Sequence, residues 1–210
     1  MIKIENVEVV GMKAAIRGMR NPKNSWDKSD SAVVDGHSFF VGDNDFALMH
    51  TLANAGTDHG KFMRMIHVQC DVTAPLYWWK EADQYKVGTV TDSCSTMHKI
   101  HAKEFTLDDF SHEHLQEDSV AVLESVIHTL NVHREWFNNK VLDNPKIDWW
   151  QMIQLLPSSY NQRRTWDLNY AVLKNIYHAR RNHKLDEWHD FCDWIESLPY
   201  SELITGKEMK

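Results

Sequence analysis

Cysteine is scarce in this chain: Cys70, Cys94 and Cys192 are the only three among 210 residues. An odd, widely spaced set argues against a disulfide framework or a CxxC zinc site and fits a reducing compartment. Long apolar runs are missing too. No stretch approaches the roughly 18 residues that cross a bilayer, and the opening MIKIENVEVVGMKAA is charged where a signal peptide needs an apolar core. A soluble cytoplasmic protein without a membrane partner is expected. Excess positive charge is also absent, with 23 Lys and Arg against 30 Asp and Glu and a formal charge of -7. Nucleic acid, which repels such a surface on average, is not an expected partner. There is no repeat, linker or low-complexity tract.

What is present is ordinary globular composition, 42% hydrophobic and 25% charged, with nine Trp as core fillers or stacking surfaces. One domain spanning residues 1–210 is expected. Ile2–Val10 alternates as a strand does, and Met12–Met19 extends it or begins a turn. Residues 20–31 read as a polar loop. Asp43–Ala55 reads as a helix capped by Asp43 or Asn44 and ended before Gly56. Phe62–Val72 alternates again, with Ile66, Val68, Cys70 and Val72 toward the core and His67 on the polar face. Helical spacing recurs over residues 119–139, 165–181 and 185–198, and residues 149–156 begin another helical or apolar segment. The fold class is α+β.

The segment from Ala74 to Lys99 is the most informative. Pro75 precedes a helical pattern from Leu76 to Tyr85 rich in aromatic residues. After Gly88, Thr89–Thr96 is dense in short hydrogen-bonding side chains, a loop suited to a polar ligand. Cys94 has no neighbouring His or Arg in sequence to lower its pKa and reads as a small structural residue. His98, His101, His112 and His114 lie among carboxylates but lack the further ligand spacing of a helical zinc motif, so no metal is assigned. Neither is a catalytic residue.

In the second half, Leu156-Pro157 is followed by Tyr160, Trp166, Asn169, Asn175 and Arg180, and then by His183–Trp188. Upstream, Val72-Thr73-Ala74-Pro75 leads into the aromatic helix. In this order and spacing the chain resembles the flavin-dependent thymidylate synthases over most of residues 45–200. The resemblance implies a central, mostly antiparallel sheet with long helices. It also implies a homotetramer that binds FAD and uses NADPH and methylenetetrahydrofolate to methylate dUMP. Carried over position by position, it assigns Lys86, Thr89, Asn169 and Asn175 to the cofactor and Glu81, Gln84, Asp92, Cys94 and Arg180 to the nucleotide. Tyr77, Trp78, Tyr85 or Trp166 would stack on a base or flavin, and Trp78 and Trp79 would be covered by other subunits. The family signature is altered, with Gln84-Tyr85-Lys86 where it has Arg-His-Arg. Ile153 and Ala171 stand at two further arginine positions. A non-catalytic protein that binds or sequesters a nucleotide or other small ligand is the alternative the same residues allow.

Overall fold

Period-two alternation puts Val68, Cys70, Val72 and Ala74 on the buried side of the strand β4 (His67–Pro75). With β1 (Lys3–Val10), β5 (Val90–Ser93) and β6 (Asn161–Asn169) it forms a central sheet in the order β1-β4-β6-β5. The Tyr170 N–H donates to the Ile66 carbonyl and the Leu76 N–H to the Tyr160 carbonyl, so β4 and β6 run antiparallel. A separate hairpin pairs β2 (Ala32–Val34) with β3 (Ser38–Phe40), Ala32 opposite Phe40. The computed structural model describes residues 2–34 and 38–207. They divide into two compact units: unit 1 takes in Met1–Lys3, Val72–Gln84 and Asp92–Arg164, and unit 2 takes in Ile4–Asp71, Tyr85–Thr91 and Thr165–Lys210.

In unit 1, α4 (Glu117–Asn139) packs against α5 (Lys146–Leu155). Leu123, Ile127 and Leu130 of α4 join Met152, Ile100, Phe105 and Phe110 in one apolar core. The aromatic helix α3 (Leu76–Ala82) is shorter than its apolar pattern suggests and ends before Tyr85. Trp78 and Trp79 are fully buried within the chain, edge to face at 4.9 Å between ring centroids, and the Trp79 indole N–H donates to the Gln162 carbonyl. Neither ring needs a neighbouring subunit to cover it, which corrects that expectation. Trp78 is equally unable to present a face to a ligand.

Unit 2 gathers α1 (Met12–Arg20), α2 (Asp43–Asn54), α6 (Tyr170–Arg180), α7 (Asp186–Glu196) and the short α8 (Glu202–Thr205). Three sequence expectations change here. Met12–Met19 neither extends the strand nor forms a simple turn but is helical, because Ala15, Ile16 and Met19 bury one face. Gly60–Met65 forms a 3-10 turn, so the strand starts only at His67. Thr165–Asn169 belongs to β6, and the long helix starts at Tyr170, where the Asn169 side chain caps it. Trp166 is consequently a core residue stacked on Phe191, closed to any ligand. Among the described residues, no helix is long and apolar enough to cross a membrane.

Candidate functional site

Helix α6 delivers Arg180 to the loop between α3 and β5. The Arg180 Nε–H donates to the Tyr85 hydroxyl at 2.9 Å. Its guanidinium lies 5.6 Å from the Tyr85 ring centroid and 5.1 Å from that of Trp188, and the two rings meet edge to face. Cation–π attraction and the hydroxyl help to fix its direction. The loop itself is tied down by short-range bonds. The Thr89 hydroxyl donates to the Tyr85 carbonyl, and the Asn169 amide donates to the Gly88 carbonyl at 3.2 Å while its oxygen accepts from the Val172 N–H at 3.0 Å. Gly88 has φ +78°, and a Cβ there would stand 2.9 Å from Asn169 Nδ2. Lys86 and Asn175 are exposed.

Five expected positions, Lys86, Thr89, Asn169, Asn175 and Arg180, thus fall in unit 2, and the structure brings Thr89, Asn169 and Arg180 onto one loop-and-helix frame. Thr89 and Asn169 engage the backbone, the roles of a turn lock and a helix cap. The other four, Glu81, Gln84, Asp92 and Cys94, fall in unit 1. Gln84, Asp92 and Cys94 are exposed, and the hydroxyl-rich stretch expected as a loop contains the strand β5. Cys94 is fixed through its backbone: its N–H donates to the Arg163 carbonyl and its carbonyl accepts from the Gln162 amide at 2.7 Å. The same Gln162 accepts from Arg164 Nε, whose Nη1 pairs with Asp83 at 2.6 Å over the Trp79 ring. Sequence reading missed Asp83, Gln162 and Arg164. The alternation Gln162, Arg164, Trp166, Leu168 was the available signal.

A third arrangement lies in the N-terminal part of unit 2. The Asp45 carboxylate, fully buried, accepts from Arg20 Nε at 2.6 Å, from the Ser29 and Ser31 hydroxyls at 2.6 Å each, and from the Asp30 and Ser31 N–H groups. Burial pushes its pKa up, but the hydrogen bonds from Ser29, Ser31 and Arg20 and the charge of Arg20 outweigh burial, so the net shift is downward. Asp30 accepts from the Asn44 and Asp45 N–H groups and caps α2 from outside, the role expected of Asp43 or Asn44. The clasp holds residues 25–31 beside a cleft of about 1350 Å³. Met19, Leu48, Leu52 and Phe62 give the cleft an apolar lining, and Lys23, Lys28 and Lys61 add positive charge against Asp27 and Asp58.

Two thiols are chemically quiet. Burial raises the Cys70 pKa to about 12 and that of Cys192 to about 11, with neighbouring carboxylates adding to the effect. Among the described residues, no three His, Cys, Asp or Glu side chains are grouped to hold a metal ion.

No protein-family model matches this chain, and no curated protein sequence does. Solved structures do. Thymidylate Synthase X (ThyX) from Helicobacter pylori with FAD and dUMP superposes with a TM-score of 0.68 at 15% identity, over 98% of both chains. This chain has the fold of the flavin-dependent thymidylate synthases. A second structure of flavin dependent ThyX from the same organism, complexed with FAD and dUMP, gives 0.67 at 16% identity, over 96% of this chain and 99% of that one. The UMP/dUMP methylase PolB from Streptomyces cacaoi, bound with 5-Br dUMP, gives 0.62 at 14% identity, over 98% and 95%. The central antiparallel sheet with long helices is the one this fold implies.

Proposed function

We propose that this chain binds a pyrimidine nucleotide and FAD and carries out a flavin-dependent pyrimidine modification resembling dUMP methylation, as a homotetramer with NADPH and a folate as co-substrates. The observation that carries the nucleotide reading is Arg180, held between Tyr85 and Trp188 at a position the resemblance assigns to the substrate. A guanidinium with a fixed direction suits a phosphate, because charge-assisted hydrogen bonds depend on alignment. Lys86 adds a second positive charge on the same loop. Tyr85 orients Arg180, and the Asn169 bond to Gly88 holds the loop that carries Tyr85 and Lys86.

The residues present offer a flavin dinucleotide a fit in the cleft beside Asp45. Its volume of about 1350 Å³ exceeds the roughly 300–1000 Å³ of drug-sized pockets. Met19, Leu48 and Phe62 suit a flat ring, and Lys23, Lys28 and Lys61 suit a pyrophosphate. A reduced flavin would supply the electron pair for the modification. Thr89 and Asn169, with their polar atoms bonded to backbone, support the cofactor less directly than the resemblance implies. That engagement, with Ile153 and Ala171 at family arginine positions, favours the second reading: a nucleotide binder without the chemistry.

The visible spectrum separates the two. A protein that turns yellow with added FAD and binds dUMP by calorimetry supports the flavoenzyme. A colourless protein that binds dUMP supports the binder, and failure to bind any pyrimidine nucleotide rejects both. Light scattering tests the tetramer.

A further inference from the structure

A second cavity of unit 2, about 320 Å³, shares no lining residue with the Arg180 loop and is lined by α1, the turn at Trp26–Lys28 and the β2–β3 hairpin. Lys13, Ile16 and Arg17 enter it from one face of α1, their spacing of three and four residues making them neighbours. Trp26, Val33 and Phe39 complete its apolar lining. Trp26 is 50% exposed, yet its indole N–H donates to Asn21 Oδ1 at 2.8 Å, so a large ring is held partly in water. The adjacent Ser29 and Ser31 hydroxyls are fixed on Asp45, which keeps this wall in place before any ligand arrives. Lys13 and Arg17 are exposed, and among the described residues neither has an ion-pair partner.

We propose that this cavity is a binding site for a small aromatic anion, a single ring carrying one carboxylate or phosphate. An indole and a phenyl ring supply the stacking surface, and an ammonium and a guanidinium meet the charge. Its size, at the lower end of the usual range for ligand pockets, admits one substituted ring and excludes a dinucleotide. The site is independent of the nucleotide reading.

The test follows the Trp26 indole N–H by nuclear magnetic resonance in the intact protein, assigned with Trp26→Phe, during titration with phenyl phosphate and with benzoate. Saturable shifts at millimolar concentration or below are expected from at least one, and the tighter of the two tells whether phosphate or carboxylate is preferred. Inorganic phosphate and benzyl alcohol, each with half of the chemistry, should bind at least tenfold more weakly. Arg17→Ala and Arg17→Gln should each weaken the anion at least tenfold, while Arg180→Ala leaves its affinity unchanged. Absence of saturation, wild-type affinity in a folded Arg17 variant, or equal binding of either half-probe would overturn the proposal.

Discussion

Two arginines of unit 2 are held in different surroundings. Arg20, 4% exposed, faces a buried carboxylate at 2.6 Å and takes part in a clasp that fixes backbone. Arg180, only partly buried, has a phenol hydroxyl and two rings among the groups that align it. The difference is one of access: Arg20 is shut away inside the fold, whereas Arg180 keeps part of its side chain within reach of solvent. Removal should therefore harm folding in the first case and binding in the second.

The largest effect should come from the clasp. Asp45→Ala leaves Arg20 buried beside a missing partner and should cost about 3–5 kcal/mol, read as a lower urea midpoint. The pH dependence has a definite sign. Asp45's folded pKa is depressed, so its contribution is complete above the unfolded value, about 3.9, and is lost as pH falls through the lower folded value. The stability gap between wild type and Asp45→Asn should shrink below about pH 4. A constant gap down to strong acid would break the comparison.

Arg180→Ala should weaken dUMP binding by about 1.5–3 kcal/mol and change stability by only about 1 kcal/mol. Unchanged affinity in a folded variant would withdraw Arg180 from the site. Gly88→Ala forces an L residue to φ +78° against Asn169. It should cost about 1–2 kcal/mol and loosen the nucleotide by disturbing the Tyr85 loop, as calorimetry would show. Smallest is Asn169→Ala, a lost helix cap worth about 1 kcal/mol in thermal unfolding.

How much of this was legible varies with the range of the interactions. Helices α2, α4 and α7 show in their apolar spacing, since each buries one face. The α+β order and the alternation at Val68, Cys70 and Val72 were equally plain. Over residues 165–181, Trp166, Leu173, Ile176 and Tyr177 mimic one helical face. The break at Asn169 is visible only when that residue is read as a cap, with a period-two strand before it. The Asp45 clasp left no local trace, because Arg20, Ser29 and Ser31 reach it from 14 to 25 positions away. Arg180 could be named from its place after Leu156-Pro157, but Tyr85 and Trp188 as its holders could not. They belong to separate elements that only folding brings together.

Asn169 ties two motions into one. Its single amide both starts α6 and holds Gly88, so a loop opening that pulls this side chain away must also release the Val172 N–H. Hydrogen exchange at Val172, in the first turn of the helix, should therefore report on the loop that carries Tyr85 and Lys86, and should slow whenever a ligand closes that loop.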